Sequence, residues 1–126
     1  MLSCRRLWRS FRYARHGLWR VAKEEQNFAI ELTIGLSALI LAAILQFSLW
    51  EWAVLALVIG FVLIAELLNS AVERVSDLLK PRLDIYVKEI KDIMAATVFL
   101  SAVLSVIVGL ILFLPHLIKG LITIFQ

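Results

Sequence analysis

Two long stretches without a charged residue dominate the hydrophobic pattern of the chain. They cover residues 32–50 and 93–118 and are 19 and 26 residues long. A helix of about 20 apolar residues crosses the hydrocarbon core of a bilayer, which is about 30 Å thick. A third apolar stretch begins near Trp50 and reaches Glu66, and nothing interrupts its helical pattern before Pro81. The pattern predicts three membrane-spanning helices, at about 28–47, 50–80 and 92–114.

The first 24 residues have the pattern of an amphipathic helix. Apolar residues recur along one helical face of this segment, at Leu7, Phe11, Ala14, Leu18 and Val21. Residues 1–23 also contain seven basic residues and no acidic one. Such a helix lies at the surface of a membrane. The predicted fold class is therefore all-α integral membrane. A surface helix over 1–24 precedes the three transmembrane helices in one domain over 1–126, and residues 115–126 form a short tail.

The connections between the helices predict how the chain is oriented. Residues 46–51 contain no Lys or Arg, whereas residues 74–91 contain five. Short segments rich in Lys and Arg stay on the cytoplasmic side of a membrane. We expect the N terminus and a loop over 81–90 to lie inside, and the C terminus to lie outside. Pro115 is expected to end the third helix.

Composition agrees with a membrane protein and excludes other classes. Hydrophobic residues make up 62% of the 126 residues and charged residues only 18%, against roughly a quarter in soluble domains. Cys4 is the one cysteine, which excludes a disulfide within the chain. The net charge of +3 lies next to apolar segments, so we expect anionic lipid headgroups as its partners and no nucleic acid. No signal peptide is predicted.

Polar residues at the end of the second apolar stretch are candidates for function. Glu66 has apolar neighbours on both sides, where a charge costs about 2.5–3.5 kcal/mol on insertion scales. Asn69, Glu73 and Asp77 follow at three, seven and eleven residues, so all four share one helical face. For Asp77 and Glu73, solvation of a helix that leaves the bilayer is about as good an explanation as function. Solvation is a weak explanation for Glu66 and Asn69.

Other charged residues are expected at the same depth. Lys91 and Asp92 open the third span, and Glu25 and Glu31 open the first. Carboxylate oxygens from different helices beside a lysine suit Mg²⁺ with bound phosphates. Snorkelling to the interface explains Lys91 equally well when that residue is taken alone. The five glycines form no phosphate-binding loop, so phosphates would be held by the metal and basic side chains.

Three motifs occur together in this chain. Residues 66–77 read ELLNSAVERVSD, residues 91–96 read KDIMAA, and residues 11–28 form an amphipathic segment that ends in EQNF. In this order they resemble the E-x-x-N-[ST]-A-[IV]-E-x-x-x-D signature, the K-D-x-x-A-A element and the first segment of the small prokaryotic membrane lipid kinases. This family includes diacylglycerol kinase and undecaprenol kinase. The resemblance covers about residues 6–115.

The resemblance implies an activity and a role for each candidate residue. It implies ATP- and Mg²⁺-dependent phosphorylation of a membrane lipid alcohol at the cytoplasmic interface of a prokaryotic inner membrane, by a homotrimer that shares its active sites between subunits. Glu66 would be the general base, and Glu25 and Glu73 would bind the metal. The residues implied in catalysis are Glu66, Asn69, Lys91 and Asp92. The residues implied in nucleotide binding are Arg6, Tyr13, Glu25, Glu73, Asp77, Arg82, Leu83, Asp84, Lys91 and Asp92.

Other interpretations of the pattern are a small holin- or channel-like protein and a structural membrane anchor. A pore would carry polar residues through its whole depth, whereas residues 34–45, 53–65 and 98–114 contain only isolated Ser and Gly among apolar residues. An anchor leaves the polar face at Glu66 unexplained. The lipid alcohol stays open between undecaprenol and diacylglycerol, although residues 88–92 look more like the undecaprenol kinases.

Overall fold

A computed structural model describes residues 4–79 and 84–124 of the chain, and these residues form four α-helices. The helices are listed here in chain order as α1 (Cys4–Glu24), α2 (Gln26–Ile44), α3 (Leu49–Leu79) and α4 (Asp84–Ile124). Neither described range contains a strand. The predicted all-α fold class is therefore confirmed.

Three of these helices are long and apolar enough to cross a membrane. They are α2, α3 and residues Ile85–Ile122 of α4. By contrast, α1 buries none of its residues, and its apolar side chains Leu7, Trp8 and Phe11 are exposed. An amphipathic helix of this kind covers its apolar face by lying on the bilayer. The fold thus agrees with one surface helix and three membrane helices.

The bounds of the last helix differ from the sequence prediction at both ends. α4 begins at Asp84, within the predicted loop over 81–90, and it continues through Pro115 to Ile124. The predictions of a loop over the whole of 81–90 and of a helix end at Pro115 are therefore wrong. Proline removes one backbone hydrogen bond from a helix, but membrane helices tolerate it where neighbouring groups compensate.

The turn between α2 and α3 reverses the chain within four residues. Gln46 has a φ of 55°, in the left-handed region, and the backbone N–H of Phe47 donates to the Ala42 carbonyl at 3.1 Å. Ser48 then precedes α3, and its backbone N–H and its Oγ donate to Glu51 Oε2 at 2.7 and 2.6 Å, so the Glu51 carboxylate supplies one half of a capping box. These bonds fix α2 and α3 as antiparallel neighbours.

Packing between the membrane helices is tightest where side chains are small. α3 contacts α4 more extensively than it contacts α2, and α1 contacts α2 only sparsely. A Cβ added at Gly35 of α2 would lie 3.0 Å from Cγ2 of Ile59 on α3. Glycine therefore permits the close approach of these two helices. The helices hold the polar end of α3 between the start of α2 and the first turns of α4.

Candidate functional site

Glu66 lies at the centre of the candidate site and is buried in the helix bundle, with 3% of its surface exposed. The side-chain amide of Asn69, almost one turn further along α3, lies close to the Glu66 carboxylate. Glu25, Glu31 and Glu73 lie close enough to Glu66 for their charges to interact with it. The structure therefore gathers carboxylates from α2, α3 and the α1–α2 junction around one buried glutamate.

Glu31 is a member of this cluster to which the sequence prediction gave no individual role. Its Oε2 atom is buried and has no hydrogen-bond partner in the described part of the chain. Glu31 also lines a groove of about 480 Å³ between α2, α3 and α4, together with apolar residues such as Ile34 and Val62. A buried polar atom without a partner suggests a bound ligand or water at that place. The signal for it in the sequence is a charge directly before a charge-free span.

The α1–α2 junction is joined to α3 by Arg74, which the sequence analysis did not single out. Nη2 of Arg74 donates to Glu24 Oε2 at 2.8 Å and to Glu25 Oε1 at 3.4 Å. Glu25 has an extended backbone, and its side chain makes no capping hydrogen bond to α2. The carboxylate of this predicted metal ligand is therefore not used as a helix cap.

A second ion pair joins α3 to α4 beside the cluster. Lys91 Nζ donates to Asp77 Oδ1 at 2.8 Å, and the charge of Glu73 also attracts Lys91. The structure thus brings together two motifs that are separate in the sequence. Asp92 follows Lys91 on α4 and is exposed.

The predicted nucleotide residues of α1 lie along the surface helix. Arg6 and Tyr13 are both exposed. At about 1.5 Å per residue, they lie roughly 27 and 16 Å along α1 from Glu24. In a single chain, Tyr13 is therefore nearer than Arg6 to the corner where α1 ends.

Three predicted nucleotide residues fall at the edge of what the structure describes. Arg82 and Leu83 lie outside the described residues. Asp84 is the first residue of α4, and the description covers its backbone only. Their predicted roles therefore stay predictions.

The carboxylates suit a divalent cation that is held partly by a nucleotide. Within residues 4–79 and 84–124, no group of three His, Cys, Asp or Glu could hold a metal ion alone. Mg²⁺ in kinases is usually bound by one or two carboxylates, with phosphates and waters as its other ligands. Glu25 and Glu73 both lie near Glu66. This donor set fits Mg²⁺ in a nucleotide complex and does not fit a metal held by the protein alone.

An apolar groove lies next to the carboxylate cluster. It has a volume of about 790 Å³ and is formed by α1, α2 and α3, with Trp19, Phe28, Leu63 and Leu67 among its lining residues. Leu67 directly follows Glu66 in the sequence. The site therefore combines a polar end with an adjacent surface that suits acyl or prenyl chains.

The fold and the site together describe a membrane protein with three spanning helices, in which carboxylates and a lysine are gathered at one end of the helix bundle. The chain matches the family model for prokaryotic diacylglycerol kinase over residues 12–113. It therefore belongs to the prokaryotic diacylglycerol kinase family, whose members are membrane lipid kinases. The family and the lipid kinase activity expected from the sequence are both confirmed, which removes the holin- or channel-like alternative.

Two relatives span most of this chain. The chain is 37% identical over 112 residues to an undecaprenol kinase of Bacillus subtilis (strain 168), which covers 89% of this chain and 91% of that protein. It is 39% identical over 111 residues to a diacylglycerol kinase of a Synechocystis species, covering 87% of this chain and 63% of that protein. The chain thus spans less than two thirds of the second relative.

Proposed function

We propose that this lipid kinase transfers the γ-phosphoryl group of ATP to the hydroxyl of undecaprenol, with Mg²⁺, at the cytoplasmic face of a prokaryotic inner membrane. The observation that carries the proposal is the burial of Glu66 among carboxylates, close to an apolar groove. A water-soluble nucleotide and a lipid alcohol can meet only at the level of the headgroups. The site offers a polar side to the nucleotide and an apolar side to the lipid alcohol.

Glu66 acts on the lipid hydroxyl in this proposal. Its carboxylate accepts the hydroxyl proton while the hydroxyl oxygen attacks the γ-phosphorus of ATP and ADP leaves. The neighbouring Asn69 amide orients the Glu66 carboxylate in this proposal. Burial excludes water from the base, which limits wasteful hydrolysis of ATP.

Lys91 and the outer carboxylates act on the nucleotide. Glu25 and Glu73 would hold Mg²⁺, which would supply positive charge against the phosphates. Lys91 contacts the phosphates, and Asp77 holds the lysine on the α3 side of α4. Asp92 and residues 82–84 supply further nucleotide contacts in this proposal.

Arg6 and Tyr13 complete the nucleotide site from a different direction. Their distance from Glu24 along α1 fits an active site that is shared between neighbouring subunits of a homotrimer. Lipid-facing or subunit-facing surfaces are available for this assembly, because many large apolar side chains of α2, α3 and α4 are exposed in the single chain. We propose the trimer on this basis and on the family resemblance.

Two ion pairs support the proposed orientation in the membrane. Arg74 contacts Glu24 and Glu25, so the α1–α2 corner and the end of α3 lie at the same side of the bilayer. Both basic segments of the chain are therefore on one side, which the charge rule places inside. With three spans the N terminus lies inside and the C terminus lies outside.

The identity of the lipid alcohol is tested by letting the two candidate substrates compete. The undecaprenol kinase relative is matched over 91% of its length, which favours undecaprenol over diacylglycerol. Purified protein in phospholipid vesicles is incubated with labelled Mg²⁺-ATP and undecaprenol, diacylglycerol or both, and labelled lipids are separated. We expect undecaprenyl phosphate to form faster. Preferential formation of phosphatidic acid would reverse the lipid assignment, and no labelled lipid with either alcohol would overturn the proposed reaction.

A further inference from the structure

The corner between α1 and α2 contains two adjacent glutamates, and the proposed function uses only one of them. Glu25 is a proposed metal ligand, whereas Glu24 has no role in that reaction. Glu25 is the single extended residue between the helices, and no side-chain hydrogen bond caps α2. α1 buries none of its residues. Packing therefore constrains the direction of α1, and with it the position of the corner, only weakly.

Arg74 is placed to fix this corner from α3. Its Nη2 donates to Glu24 Oε2 at 2.8 Å and to Glu25 Oε1 at 3.4 Å, across 50 and 49 residues of sequence. It also directly follows Glu73, the other proposed metal ligand, on α3. One guanidinium thus joins the end of α1 and the start of α2 to the helix that carries the rest of the site.

The two contacts of Arg74 are unequal, and this inequality suggests a division of roles. The shorter contact belongs to Glu24 and the longer one to Glu25. Glu24 therefore anchors the arginine, while Glu25 keeps enough freedom to turn towards a cation. All three side chains are partly exposed, and exposed ion pairs contribute little to folding stability. The consequence of losing Arg74 is therefore expected in the position of Glu25 more than in the stability of the fold.

We propose that Arg74 is a positioning residue that holds the Glu24–Glu25 corner against α3 and thereby sets the separation of the Glu25 and Glu73 carboxylates. This inference rests on the proposed function, since it takes those two carboxylates as the metal ligands. A planar guanidinium holds two carboxylates at fixed directions, which a lysine ammonium in the same place does less well. Outer partners of metal ligands typically change metal affinity by about 10- to 100-fold.

The test separates nucleotide binding from turnover in the full chain reconstituted in phospholipid. Arg74→Met is expected to raise the KM for Mg²⁺-ATP by about tenfold, with the KM for the lipid alcohol nearly unchanged. Arg74→Lys is expected to recover part of this loss. Combining Arg74→Glu with Glu24→Arg is expected to recover more than either substitution alone, because the pair is restored with its charges exchanged.

Mn²⁺ binding is measured by electron paramagnetic resonance with ATP present and lipid alcohol absent, which gives a readout that does not need turnover. The affinity for Mn²⁺ is expected to fall by about tenfold in Arg74→Met. It is expected to be unchanged in Lys88→Met, because Lys88 is an exposed cation on α4. A lower melting temperature with unchanged KM and Mn²⁺ affinity would overturn the inference. Wild-type protein that binds Mn²⁺-ATP but phosphorylates no lipid alcohol would instead overturn the proposed function and leave the role of Arg74 in binding intact.

Discussion

Lys91 Nζ on α4 lies 2.8 Å from Asp77 Oδ1 on α3. Asp77 is the last residue of one motif and Lys91 is the first residue of another. Glu73, one turn before Asp77, also attracts the lysine. The pair therefore joins α3 to α4 beside the Glu66 cluster and presents a cation next to the carboxylates.

Replacing Lys91 with Met is expected to lower kcat/KM for Mg²⁺-ATP by about 10²-fold, because a charge that stabilises the transferring phosphoryl group is lost. Asp77→Asn is expected to have a smaller effect, since the lysine stays but is held less firmly. Lys88→Met is the matched control, because this lysine is exposed on the same helix. Wild-type kinetics in Lys91→Met would remove Lys91 from the nucleotide site.

Glu25→Ala and Glu73→Ala are each expected to raise the Mg²⁺ concentration needed for half-maximal activity by about tenfold or more, because each removes a proposed metal ligand. The measurement is a Mg²⁺ titration at fixed ATP, repeated as an ATP titration at saturating Mg²⁺. Glu89→Ala, an exposed carboxylate on α4, is the control. Unchanged requirements for both Mg²⁺ and ATP would show that the metal is bound elsewhere.

Gly35→Leu is expected to destabilise the helix bundle by about 1–3 kcal/mol, because a side chain at this position must push Ile59 away. The matched control is Gly60→Leu, since a Cβ at Gly60 meets no atom within 4 Å. The difference in stability between the two variants is measured by unfolding them in mixed micelles while circular dichroism is recorded. Equal stability of the two variants would contradict the close approach of α2 and α3.

Glu51→Ala is expected to lower the melting temperature while phosphoryl transfer continues, because Glu51 Oε2 accepts hydrogen bonds from Ser48 at the start of α3, far from the site. Glu51 Oε1 also lies 3.7 Å from His116 Nε2 on α4. Fifteen residues of α3, about 22 Å, separate Glu51 from Glu66. Melting temperature and lipid phosphorylation are measured on the same preparation. A large loss of activity at unchanged stability would show that the two ends of the bundle are coupled.

The membrane helices were predictable because their signal is local. Charge-free stretches of sufficient length indicate α2 and most of α4, and an apolar stretch whose helical pattern nothing interrupts before Pro81 indicates α3. The start of α4 was missed because the charged residues that follow Asp84 resemble a loop when they are taken without their neighbours. Pro115 was misinterpreted because the rule for proline in soluble helices is weaker in a membrane, where packing compensates for the lost hydrogen bond.

The site was predictable where helical spacing alone brings residues together. Glu66 and Asn69 are three residues apart on α3, and the proximity of their side chains follows from that spacing. The contact of Arg74 with Glu24 joins residues 50 positions apart and depends on the bend at Glu25. No pattern in the sequence specifies that bend. The proposed roles of Arg6 and Tyr13 rest on family resemblance and not on contacts within one chain.

The central claim is that Glu66 accepts the proton of the lipid hydroxyl, and Glu66→Gln tests it most directly. Transfer of labelled phosphate from ATP to undecaprenol is measured for the wild type and for this variant, in the same vesicles. The account predicts a loss of about 10²- to 10⁴-fold in the rate of transfer, with membrane insertion, assembly and Mn²⁺-ATP binding retained. Full activity in Glu66→Gln would contradict it.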